Sequence, residues 1–242
     1  MGKQLIVAVA LVGLGAVAFL LLTRAAPRKA VRDLPTAREQ LVEAWKSTRS
    51  VQAKMEMRAD GPAPALQRGT YEMKEDGGKR MVRVELQLLN PLAQGSGAAG
   101  DPPRLTSISD GQYTYVLNEQ GGQAMARKSL VDPSMHMDPV AFFREMEEHG
   151  VMELMPDETM DGQAVTVIRV IPKGATLSEG YVNYYIAQDS GLIVKMIATE
   201  PSSGTTTHAG LTEIRLNGDI PSERFVFQAP PGVVIEDMTV RP

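Results

Sequence analysis

Val51-Gln52-Ala53-Lys54-Met55-Glu56-Met57-Arg58-Ala59 changes character at every step, with Val51, Ala53, Met55, Met57 and Ala59 apolar and Gln52, Lys54, Glu56 and Arg58 polar. Successive side chains of a strand point to opposite faces, so a period of two with one greasy side describes a half-buried antiparallel strand. Just upstream the period is different. Ala37, Leu41, Trp45 and Thr48 recur at helical spacing with Val42 widening the stripe, behind a capping box at Pro35, Thr36 and Glu39, which predicts an amphipathic helix of about four turns.

Downstream the strand signature repeats. Thr70–Glu75 precedes Val82, Val84, Leu86 and Leu88 alternating with Arg83, Glu85 and Gln87. Beyond the Pro/Gly/Ala-rich insert Asn90–Arg104, which reads as a loop, come Leu105–Ser109, Gln112–Leu117 and Gln123–Lys128, joined by turns at Asp110-Gly111 and Gln120–Gly122. Asp138 as cap, Pro139 at the first helical position and Gly150 past the end enclose a second short helix, with Val140, Phe142, Phe143 and Met146 on its apolar side. Val151–Met155, Gln163–Ile171, Tyr181–Ala187, Leu192–Glu200 and Thr205–Leu216 then alternate with turns at Asp161-Gly162, Asp189–Gly191, Ser202–Gly204 and Asn217–Asp219. The expected fold is mainly β, with about eleven short strands and two or three helices, closing or curling as a barrel or sandwich.

The amino-terminal stretch differs from this body. Leu5–Leu22 is 18 residues with no polar side chain, long enough at about 1.5 Å per residue to cross a bilayer core. The small-x-small signal around Ala25-Ala26 is poor, which favours a single-pass anchor over a cleaved signal. The expected organisation is a transmembrane or signal segment at 1–23, a basic linker at 24–35 and a folded domain at 36–242. Arg24, Arg28, Lys29 and Arg32 outnumber Lys3, so the positive-inside rule taken alone would leave the body in the cytoplasm.

Charge and composition exclude several classes. Residues 1–34 hold five basic side chains and one acid, leaving 20 basic against 28 acidic in the remainder, so an acidic body repels nucleic acid. With no cysteine there is no disulfide, thiolate metal site, cysteine nucleophile or acylated cysteine. His136, His149 and His208 stand apart, outside any metal spacing or catalytic pairing. The acids Glu145, Glu147, Glu148, Glu153, Asp157, Glu158 and Asp161 fit no calcium loop and read as a solvated helix face and turn. No catalytic residue, metal or cofactor is expected. The unusual feature is methionine, 14 residues against five Phe and one Trp. Flexible thioethers suit an interior that accepts variable apolar guests.

The carboxyl end Phe225-Val226-Phe227-Gln228-Ala229-Pro230-Pro231-Gly232-Val233-Val234-Ile235 resembles the F-x-F-x-x-P-x-G-V ending of the bacterial outer-membrane lipoprotein carrier proteins, the LolA-like family. Ser109-Asp110-Gly111-Gln112-Tyr113-Thr114-Tyr115-Val116 is similar to that family's S-D-G-x-x-x-aromatic turn, and Ile186–Ala198, with Asp189-Ser190-Gly191, to its late hairpin. The resemblance covers about 36–238. It implies an incomplete antiparallel barrel of eleven strands with a helical lid over an apolar cavity, on the periplasmic or outer side of the cytoplasmic membrane, and no catalysis. Carried over by position, Leu41 and Trp45 with Phe142, Phe143 and Met146 would form the lid. Val51, Met55, Met57, Tyr71, Met73, Val84, Leu86, Tyr113 and Tyr115 would line the wall. The implied ligands are acyl chains of lipids or lipoproteins. A second expectation keeps the barrel as a sensor or regulatory module for an envelope membrane protein.

This chain departs from the family where carriers have a basic Lys-Arg-Pro stretch after the second strand: it has Lys74-Glu75-Asp76-Gly77-Gly78. Residues 24–35 extend at most about 40 Å, so a body anchored by 5–22 would act locally rather than shuttle between membranes.

Overall fold

The computed structural model describes residues 33–62, 64–89, 101–131 and 139–239. The expected anchor at 5–22, most of the insert at 90–104, His136 and the expected cap Asp138 lie outside these residues. Among the described residues no helix is long and apolar enough to cross a membrane.

Helix α1 (Leu34–Trp45) begins one turn earlier than expected, because Asp33 rather than a Thr36 box is its cap. The Asp33 carboxylate accepts the Thr36 N–H at 2.8 Å, satisfying a donor that the first turn leaves without an intrahelical partner. That bond holds the Asp33 carboxyl below its usual range. Ala37, Leu41 and Trp45 are buried as their spacing requires.

Among the described residues, 13 strands form one sheet. They are β1 (Ser50–Asp60), β2 (Ala65–Asp76), β3 (Lys79–Leu88), β4 (Arg104–Ser109), β5 (Tyr113–Gln120), β6 (Gln123–Leu130), β7 (Gly150–Leu154), β8 (Glu158–Met160), β9 (Gln163–Pro172), β10 (Tyr181–Ala187), β11 (Ile193–Glu200), β12 (Thr205–Leu216) and β13 (Ile235–Asp237). Helix α2 (Pro139–His149) falls between β6 and β7, and a 3₁₀ turn spans Ser222–Phe225. The order is β13-β6-β5-β4-β3-β2-β1-β12-β11-β10-β9-β7, with β8 beside β7 along β9. The ends do not meet, so the sheet is open. The strands beyond the expected eleven, β8 and β13, have three residues each, too few to display a period. Every pairing is antiparallel except β13 on β6.

Register shows which face holds the core, because residues directly opposite in an antiparallel pair share a face. Val51 faces Met73 and Ala53 faces Tyr71; Met73 in turn faces Val82 and Tyr71 faces Val84. These side chains are at most 8% exposed and pack with Trp45. Leu41 and the α2 residues Phe142 and Phe143 pack on Ile168, Val170, Ile186 and Ile193. Gly191, in the β10–β11 turn, has φ +68°, and a Cβ there would lie 2.2 Å from the Leu41 carbonyl oxygen. Only glycine lets that turn tuck against α1. The Asp110-Gly111 turn is equally specific: the Asp110 carboxylate accepts the N–H of Gln112 at 2.8 Å and of Tyr113 at 2.7 Å.

Candidate functional site

Continuing the same face through β12 gives Met57 opposite Ala209, Ala209 opposite Met196, Met196 opposite Tyr184 and Tyr184 opposite Ile168. Small Ala209 sits between two long thioethers, so the floor dips there. Phe142, Glu145 and Met146, three and four residues apart on α2, form the opposite wall. Between them is an apolar groove of about 280 Å³, completed by Met55, Ile193, Val194, Leu211 and the stretch around Lys195 and Gly210.

Several contacts hold α2 over this floor. The Phe142 and Tyr184 rings meet with centroids 4.6 Å apart, and Phe142 meets Phe143 edge-on at 5.1 Å. Arg38 of α1 lies 5.6 Å from the Phe143 ring centre and pairs with Glu147 of α2, tying the helices together. Lys173 donates its ammonium to the Glu147 and Glu148 carbonyls at 3.0 and 2.6 Å, and its N–H to the His149 carbonyl at 2.9 Å. A cation on the last-turn carbonyls is the favourable end of the helix dipole. Burial, and secondarily the Glu145 carboxylate, push the Tyr184 phenol above its usual range, so the ring enters the groove neutral at physiological pH.

Of the residues expected to line a cavity, Met55, Met57, Phe142 and Met146 border the groove. Leu41 and Phe143 pack behind it, 1% and 0% exposed. Trp45, Val51, Tyr71, Met73, Val84 and Leu86 are close-packed against one another and neighbouring strands. They fill their half of the sheet. Tyr113 and Tyr115 are a correction: Ser109 and Thr114 take the face of Val82, and Tyr115 is opposite Ile108 on the other face. There Tyr115 stacks on Phe227 at 5.0 Å and Lys128 lies 4.0 Å over the Tyr113 ring. The apolar side chains of the groove that were not expected from the sequence are Tyr184, Ile193, Val194, Met196, Ala209 and Leu211. Their strands were expected, but the pattern carried no sign of which face β1 would continue through β12.

The acidic run at Lys74–Gly78 does not leave α1 without an arginine. Arg80, at the start of β3, lies 5.1 Å from the Trp45 ring centre, with Glu75 at 3.8 Å from its Nε and 3.3 Å from Arg49. No group of three or more His, Asp or Glu side chains among the described residues could hold a metal ion. His208 instead meets Asp60 across β12 and β1 at 3.5 Å.

No protein-family model and no curated protein matches this chain. Solved structures match it at low identity. The crystal structure of MucB is 16% identical, covering 81% of this chain and 62% of its own, with a TM-score of 0.47. The MucA/MucB complex of Pseudomonas aeruginosa matches at 15% identity, 79% and 61% coverage and a TM-score of 0.46. A LolA superfamily protein from Nitrosomonas europaea matches at 13% identity, 81% and 99% coverage and a TM-score of 0.35. The last is a member of the superfamily that the carboxyl-end motif resembles. This chain spans less than two thirds of the MucB chains.

Proposed function

We propose that this protein is a non-catalytic binding protein of the cell envelope, tethered by residues 5–22, that holds part of a lipid or lipoprotein acyl chain in the groove under α2. The observation that carries this reading is the groove itself, an apolar trough built from α2 and the four strands β1, β10, β11 and β12, with only Glu145 and Lys195 charged among its residues. Its volume of about 280 Å³ falls just below the roughly 300–1,000 Å³ of ligand sites. It accommodates a stretch of chain, with the rest running along the sheet or remaining in the membrane. Each buried methylene contributes about 0.8 kcal/mol, so ten give on the order of 8 kcal/mol before association costs, enough for reversible capture rather than permanent storage.

The test is photocrosslinking. A 16-carbon fatty acid bearing a diazirine is added to membranes holding the full chain, and labelled peptides are mapped by mass spectrometry. The expected labels fall on the peptides of Met57, Met146 and Met196. Met57→Asp, which puts a carboxylate on the groove floor at a half-buried position on the edge of the packed core, is expected to lower that labelling at least tenfold in a chain whose urea unfolding remains cooperative. Labels confined to other surfaces, or a Met57→Asp chain labelled like the parent, would leave the protein-partner reading in its place.

A further inference from the structure

Thirteen residues border the groove and four of them are methionine: Met55, Met57, Met146 and Met196. Fourteen methionines among 242 residues would put about one there by composition alone. Register and helix spacing bring them together: Met57 and Met196 flank Ala209, Met55 is two residues from Met57 on the same face, and Met146 descends from α2. Met57, Met146 and Met196 are half-buried and so within reach of a small solute. Met73, in the close-packed half of the same sheet, is 0% exposed.

Leucine or isoleucine would make an equally apolar lining. What thioethers add, besides pliability, is a reaction: a mild two-electron oxidant turns methionine into a polar sulfoxide, and the change is enzymatically reversible. We propose that the groove is an oxidation-sensitive binding site, in which peroxide converts Met57, Met146 and Met196 to sulfoxides and thereby expels the apolar chain; this rests on the acyl-binding reading above. In the step, a sulfur lone pair attacks one peroxide oxygen. An S–O bond forms, the O–O bond breaks, and sulfur gives up two electrons. The hydrogen of the transferred oxygen passes to the departing one, which leaves as water. The new S–O dipole then faces a lining of carbon, where an unpaired polar group is unfavourable.

The experiment applies the diazirine fatty acid to membranes containing the full chain, before and after hydrogen peroxide, with sulfoxides located by peptide mass spectrometry. Oxidation of Met57, Met146 and Met196 is expected to precede that of Met73, and groove labelling to fall at least tenfold. Treatment with methionine sulfoxide reductases is expected to restore it. Met125 and Met238, 46% and 56% exposed and outside the groove, oxidise as well, and replacing both with leucine is expected to leave the peroxide effect intact. In a chain carrying Met57→Leu, Met146→Leu and Met196→Leu, the ratio of treated to untreated labelling is expected to stay near one. Labelling that survives sulfoxide formation at all three positions overturns this proposal alone, as does loss of labelling that tracks Met125 and Met238. An untreated chain without groove labelling overturns the acyl-binding reading and the proposal together.

Discussion

β1–β3 and β4–β6 lie side by side in one sheet, yet their fully buried apolar residues are on opposite faces. In β1–β3 the helix-side face carries Val51, Tyr71, Met73, Val82 and Val84, under Trp45 of α1. In β4 and β5 the same face carries Ser107, Ser109 and Thr114, while Ile108, Leu117 and Ala126 are buried on the other side. That side is covered by the carboxyl-terminal strap: Phe225 is 1% exposed, Phe227 stacks on Tyr115, and β13 joins β6 through Arg127–Glu236 at 2.9 Å and Lys128–Asp237 at 3.3 Å. A long sheet that is half roofed by helices and half strapped from behind has two separate apolar layers. Under the helices the groove is lined almost entirely by carbon, because there α2, with its gaps between turns, meets the small Ala209 of β12, whereas the cavity under the strap is bordered by the charged side chains Arg83, Glu223 and Arg224.

If the two layers are independent, damage to each should be felt differently. Trp45→Ala removes the largest buried side chain of the helix-side core and is expected to cost about 3–5 kcal/mol in urea unfolding, with groove labelling reduced as α1 loosens. Phe227→Ala, at a half-buried stacked ring on the other face, is expected to cost about 1–2 kcal/mol and to leave groove labelling within twofold of the parent. If Phe227→Ala emptied the groove while Trp45→Ala spared it, the division into layers would be wrong.

Smaller effects sharpen the helix side. Arg38→Ala breaks the pair with Glu147 and the contact with Phe143, but both charged side chains are more than 40% exposed. The expected loss is therefore no more than about 1 kcal/mol, accompanied by faster hydrogen exchange in α2 than in β1. The smallest effect concerns acid. Because the folded state holds the Asp33 carboxyl below its ordinary value, the cap's contribution is complete at neutral pH. It is lost as the pH falls through the depressed value. Asp33→Asn keeps an acceptor for the Thr36 N–H and does not titrate, so its thermal midpoint should fall less than the parent's between about pH 5 and pH 2. Parallel curves for the two proteins would show that Asp33 does not cap α1 in solution.

The alternation from Val51 to Ala59 and the helical stripe Ala37, Leu41, Trp45 were sufficient to locate those two elements, because period alone distinguishes a strand from a helix and needs no partner. Turn chemistry was as local: Asp110-Gly111 and Asp189-Ser190-Gly191 are turns in the structure, the first through carboxylate acceptance, the second because a glycine must pass the Leu41 carbonyl. Short-range pattern was silent on which strands would be neighbours. That Met57 meets Ala209 and through it Met196 follows from the pairing of β1 with β12, positions about 150 residues apart in the chain. The same register sent Tyr113 and Tyr115 away from the site they were expected to line. The sequence by itself determined that this is a chain of amphipathic strands and two greasy helices with no catalytic or metal-binding motif. Which apolar residues would be spent on packing and which would border a groove was decided only by tertiary structure, since a period of two assigns each residue a face but leaves open what covers it.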